Sequence, residues 1–158
     1  MTPEYKRKIY AWRDTGKQEQ LIRNLLQSQL SGVLATSLDG MPFCYLMAFL
    51  PADNLQSLFL AVSKRSAKHK QLANNPQTCF LIDNRKNILE DTSAACALNI
   101  HGRIYASRQS NLKDHFLARH PGLQSFVSDN ETNIMDLQID RYCLVSNFED
   151  IFVVTPPV

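Results

Sequence analysis

"GVLATSLDGMPFCYLMAFL", residues 32–50, decides how the rest of the chain is read. β-Branched, aromatic and other apolar residues crowd both sides of Asp39-Gly40. Asp-Gly suits a two-residue hairpin turn, whose central positions take positive φ. The stretch therefore predicts a strand over 32–38, a turn at 39–40 and a second strand over 41–50.

Moving outward, "PADNLQ" (51–56) is loop-like and "SLFLAV" (57–62) is a third strand. "QTCFLID" (77–83) is a fourth. "ACALNIHGRIYAS" (95–107) is a fifth, with a bend at Gly102, and "IMDLQIDRYCLVSN" (134–147) and "EDIFVVTP" (149–156) supply the last strands. Between Gln18 and Leu30 the period changes. Leu21, Ile22, Leu25, Leu26 and Leu30 recur at helical spacing, and Gly32 is expected to end that helix. Residues 3–13, with Pro3 near the start, read as another helix. A helix over 110–120 is expected to be capped by Ser110 and stopped by Pro121. Residues 84–94 and 124–133 read as loops.

Strands with hairpin-length connections, and helices at the ends and between strands, imply an α+β fold, mainly antiparallel, built on a barrel. One domain over 1–158 is expected, with N-terminal helices over 3–30 and a barrel with inserted helices over 31–158. No G-x-G-x-x-G is present, so a nucleotide would be held by other means.

Composition narrows the function. The chain has 158 residues, 44% of them hydrophobic and 20% charged, with a net charge of +2. That balance argues against a general nucleic-acid binder. No apolar run is long enough to span a membrane, and the N-terminus lacks a signal-peptide core, so a cytoplasmic location without membrane attachment is expected. Cys44, Cys79, Cys96 and Cys143 are widely spaced and read as reduced thiols, not as a metal site. The histidines form no metal pair either, and His120 reads as a helix C-terminal cap.

The charge is concentrated in "SKRSAKHKQLANNP" (63–76), where Lys64, Arg65, Lys68 and Lys70 fall within seven residues. Residues 66–75 read as a short helix with Ser66 as N-cap and Pro76 marking its end. A helix start that follows a strand end offers unpaired N–H groups and partial positive charge, which suits an anion of phosphate size. The alternative is a solvated, exposed basic helix. Nucleic-acid binding is disfavoured because no aromatic residues interleave with the cations.

The order of these segments resembles the pyridoxamine-phosphate-oxidase-like, FMN-binding split-barrel family. "HGRIYAS" (101–107) and "FLARHPGL" (116–123) resemble it too, especially its haem-utilisation branch. The likeness runs from about Gln18 to Val154. It implies a split β-barrel with peripheral helices and FMN as cofactor. It places the phosphate-gripping cation on Lys68, neighbouring donors on Val62, Ser63 and Ser66, and second cations on Arg65 and Lys70. The backbone along the flavin ring falls on Tyr45, Leu46, Met47 and Ala48, with no metal and no named catalytic side chain. It also implies a homodimer with FMN at the interface, to which the partner would bring Asn130. The implied function is transfer of hydride or electrons between flavin and a small substrate. A non-catalytic FMN carrier or sensor, and a haem-binding or haem-degrading protein, are the alternatives. Two departures argue against the true oxidase. The chain ends in "IFVVTPPV" without that enzyme's Arg-x-His-type segment, and Ala97 stands where the oxidase has a polar residue facing the flavin.

Overall fold

Asp39 and Gly40 take φ of 51° and 78°, so the expected turn forms. It joins Ser31–Leu38 to Met41–Ala48 in unbroken antiparallel register from Ser31↔Ala48 to Leu38↔Met41. The structure is a computed structural model that describes residues 9–10 and 16–158. In chain order the strands are β1 (Ile9–Tyr10), β2 (Ser31–Leu38), β3 (Met41–Ala48), β4 (Leu50–Pro51), β5 (Ser57–Ser63), β6 (Gln77–Asp83), β7 (Ala97–Ala106), β8 (Thr132–Ser146) and β9 (Asp150–Val154). The helices are α1 (Lys17–Ser28), α2 (Ala67–Asn74), α3 (Asp91–Ala94), α4 (Leu112–Arg119) and α5 (Gln124–Ser128).

The strand order is β1-β9-β8-β7-β6-β2-β3, and β5 pairs with β4 and β8. β8 organises this sheet. It pairs with β7 along one edge. Along the other it meets β5 through Thr132 to Gln138, then β9 through Tyr142 to Ser146. One long strand thus serves two neighbours in succession, and the sheet curls into a split barrel of α+β class.

The curl has a local cause. The β7–β8 register shifts between His101 and Gly102, whose partners are Arg141 and Ile139, leaving Asp140 as the extra residue of a bulge. A Cβ on Gly102 would run into the backbone carbonyl of Gln138 and come within 3.1 Å of the Leu137 side chain. Glycine is required there by close approach of the two strands.

The main core fills the barrel with Leu34, Phe49, Leu58, Leu60, Phe80, Ile82, Leu98, Ile100, Leu137 and Tyr142. α1 closes it with Ile22, Leu25 and Leu26. A second cluster lies on the other face of β5 and β8, where Phe59, Ala61 and Ile134 pack under Leu112 and Phe116 of α4 and Val127 of α5. Arg119 ties these helices together. Its Nη2 donates to the carbonyls of Leu26 and Gln29, each at 2.8 Å, and of Gln27 at 3.3 Å. These are the orphan acceptors at the end of α1.

Several local expectations are corrected. α1 stops at Ser28 with Gln29 as C-cap, because Arg119 takes its last carbonyls; Gly32 lies inside β2 against the Phe80 ring. The strand expected over 41–50 breaks at Phe49, which turns fully into the core. α4 begins after Asn111, held at φ 65°, and Ser110 does not cap it. Residues 91–94 and 124–128, expected as loop, are short helices. Within the helix expected over 3–13, Ile9 and Tyr10 instead pair in parallel with Val153 and Val154. The rest of that segment lies outside the described residues.

Gly102→Ala should lower stability to chemical denaturation by about 1–3 kcal/mol or more, the penalty for overpacking a site that cannot give way. Gly122→Ala, where a Cβ meets nothing within 4 Å, is the control and should stay within about 0.5 kcal/mol of the parent. Equal effects of the two would show that the bulge tolerates a side chain.

Candidate cofactor site

The basic stretch forms the turn between β5 and α2. Ser63, the last residue of β5, lies opposite Thr132 at the start of β8. The Lys64 amide donates to the Glu131 carbonyl at 2.7 Å, pinning the turn to β8. Ser66 is the N-cap, as its position predicts: its Oγ accepts from the His69 amide at 3.4 Å and donates to the Ser63 carbonyl at 2.7 Å. Its proton is therefore committed within the turn. The Ser63 hydroxyl accepts from the Arg65 amide at 3.3 Å and keeps its own proton for another acceptor. The amides of Ala67 and Lys68 open the helix, so they have no intrahelical acceptor, and the helix dipole adds positive potential there.

The cations separate. Lys68 is half-buried and leans toward β3, with Nζ 4.8 Å from the centroid of the Tyr45 ring. Arg65 is exposed, 4.0 Å from the Glu131 carboxylate, a pairing worth little at a surface. Lys70 is exposed and sits about 200° around the helix from Lys68, so it does not converge with it. Val62 is buried in the main core, so only its main chain is available to a ligand.

β3 is the last strand of the sheet, with one edge free of ladder partners among the described residues. Its four candidate residues do not form a flat wall of side chains. Tyr45 and Met47 pack toward the main core and Ala48 toward the second cluster, while Leu46 points outward, 78% exposed. What β3 offers a planar ring is its free main-chain edge.

Two residues that sequence reasoning missed link β3 to α2. Gln71 is only 5% exposed, and its Oε1 accepts from the Tyr45 hydroxyl at 2.9 Å and the Thr36 hydroxyl at 2.8 Å. The available signal was the spacing of Gln71 three residues after Lys68, which puts both on one helix face. A third, Glu131, comes from β8's approach to the turn and leaves no local sequence mark. Asn130 is exposed beside Glu131, in the same chain as the turn it adjoins.

Two sizeable clefts lie elsewhere. One of about 510 Å³ runs between the β4–β5 region and α4, lined by residues such as Asp53, Phe59 and His115. One of about 460 Å³ lies between α4 and the start of β8, lined by residues such as Lys113, Asn130 and Asn133. Neither includes Tyr45, Lys68 or the turn between them. Among the described residues the candidate site is an open ledge on an edge strand.

On the outer sheet face, His101 lies opposite Cys79 and Arg141. Burial, and then the Arg141 charge, hold its pKa below the ordinary histidine value. Burial pushes the Cys79 thiol up to about 11, so it stays protonated and unreactive. His120 is the C-cap residue of α4, but its ring is buried and its Nε2 lies 2.7 Å from the Phe49 carbonyl, so it does not cap its own helix end.

A family model described as pyridoxamine 5'-phosphate oxidase matches residues 18–144, most of the chain. The chain belongs to that family. A comparison with curated proteins finds no match. Among solved structures, general stress protein 26 from Bacillus anthracis str. Sterne superposes with a TM-score of 0.71 at 21% identity, covering 87% of this chain and 98% of that one. A haem-binding protein from Mycobacterium smegmatis superposes at 0.74 and 17% identity, covering 84% of this chain and 55% of that one. A FAD-binding protein from Mesorhizobium loti gives 0.63 at 16% identity, covering 80% and 90%. At these identities the likeness shows the fold alone. In this family's fold, Ala97, half-buried, opens β7 between Asp83 and Val145.

The His101 geometry has a consequence for stability. The folded chain resists the proton that the unfolded chain accepts near pH ~6.5. Stability from this group is therefore present above that pH and is lost as pH falls toward the lower folded pKa. Denaturant midpoints should drop over that interval, and His101→Asn should remove this part of the slope. An unchanged slope in the variant would mean that other groups carry it.

Proposed function

We propose that this chain is an FMN-binding flavoprotein, working as a homodimer, that passes hydride or electrons between the flavin and a small substrate. One observation carries the reading: Lys68 stands at the head of α2 against Tyr45 of β3, so the phosphate-type turn and the edge strand meet at one place. Membership of the pyridoxamine 5'-phosphate oxidase family supports it.

The donor set suits a phosphate monoester. Lys68 supplies a mobile ammonium, Ser63 a hydroxyl proton, and the first amides of α2 supply oriented N–H groups at the positive end of a dipole. Arg65 can leave its weak contact with Glu131 to add charge. The free main chain of β3 can hydrogen-bond the polar rim of a planar ring, as a strand would. Bound there, the flavin would supply hydride chemistry at N5, and the protein would supply position and charge. A flavin on an open ledge would be wetted on its far side, and Leu46 would stay exposed. A second copy covering that ledge supplies the missing wall and excludes water, which is why the reading includes a dimer.

Titration by quenching of flavin fluorescence should show FMN binding about tenfold or more tighter than riboflavin, because the phosphate's charge-assisted contacts are lost in the latter. Lys68→Ala should remove most of that preference. Equal affinity for the two flavins would overturn the placement of the phosphate. Sedimentation of the FMN-loaded protein should give a dimer; a monomer that keeps full FMN affinity would rule out the shared site.

A further inference from the structure

A carbonyl oxygen has two lone pairs, and the Oε1 of Gln71 gives one to Thr36 and one to Tyr45. Thr36 belongs to β2, deep in the sheet and almost fully buried, so it is a fixed reference point. Gln71 carries that reference to Tyr45 by holding its hydroxyl. The ring is then held at both its oxygen and its face, since Lys68 lies over it. Lys68 and Gln71 share one face of α2, so the helix and the ring form a closed loop of contacts.

This bears on the cation. A free lysine side chain loses considerable rotamer freedom when it takes hold of a ligand. A lysine already resting on a fixed aromatic face has lost part of that freedom in advance, and such preorganisation appears as affinity. Removing the Gln71 acceptor frees the tyrosine ring to swing, and the lysine's resting place goes with it.

We propose that Gln71 is a positioning residue that sets where Lys68 meets the ligand phosphate, acting through Tyr45, and so raises the preference for phosphorylated over unphosphorylated flavin. The inference rests on the FMN reading above. It extends that reading to a residue that touches neither ring nor phosphate.

The test is a double-mutant cycle read with two ligands. Gln71→Leu removes the acceptor at similar size, and Tyr45→Phe removes only the hydroxyl, so the second variant serves if the first does not fold. Each should weaken FMN binding by roughly threefold to tenfold, the range for one net hydrogen bond. Each should weaken riboflavin binding by clearly less than it weakens FMN binding. In a Lys68→Ala background, neither should cause further loss, because the group being positioned is gone. Equal loss for FMN and riboflavin, or losses that add to that of Lys68→Ala, would mean that Gln71 only supports the scaffold, and would overturn the inference. Unchanged FMN affinity in both variants, with Lys68→Ala still weakened, would overturn it while sparing the FMN site. If Lys68→Ala itself binds FMN as the parent does, the site reading fails and this inference fails with it.

Discussion

The close passage of β7 against β8 at Gly102 is the constraint on which the rest of the structure depends. No side chain fits between residue 102 and the Gln138 carbonyl, and the register slips by one residue at that point. A bulge of this kind raises the local twist and bends the strand pair. The bend lets β8 leave β5 after Gln138 and take up β9 from Tyr142 on the same edge. The β5–β8 ladder in turn delivers Ser63 to the start of β8, where the Glu131 carbonyl pins the next residue of the basic turn. A backbone clearance outside the candidate site thus helps to set where its cations emerge.

The site also depends on a smaller constraint. Tyr45 and Lys68 lie on different elements, separated in sequence by a hairpin arm, a loop and β5. They meet because Thr36 and Gln71 form a buried polar bridge between sheet and helix. Buried hydroxyls and amides must find partners or carry a desolvation penalty. Here each partner satisfies the others, so the contact that orders the ledge also helps to hold α2 against β2.

Much of this was readable from the chain alone. The Asp39-Gly40 turn and the Ser66 cap are local: each depends on the φ or hydrogen-bonding habits of one or two residues, which travel with the residue type. The errors came where distant groups decide. Gly32 looks like a helix stop, yet α1 is ended by a guanidinium from Arg119, some ninety positions away. Phe49 continues an apolar run by composition but leaves the strand for the core. Tyr45 and Lys68 could be placed in a common site only by family likeness, and Gln71 looked like any polar residue on a helix. Its spacing puts it on the Lys68 face of the helix, but its bonds to two hydroxyls leave no mark in the sequence.

Among the described residues one edge of β3 has no ladder partner, and this has a consequence for how the chain meets other chains. Sequence "MPFCYLMA" carries no charged residue, so the strand lacks the lysines and inward charges by which edge strands usually discourage unwanted pairing. Pro42 blunts one end by removing a donor, and the remainder, with Leu46 outward, is an apolar template open to any extended segment that passes. A bare apolar edge of this kind is a place where chains can aggregate. Dilute refolding is therefore gentler than concentrated refolding. Left bare, this strand is an aggregation hazard.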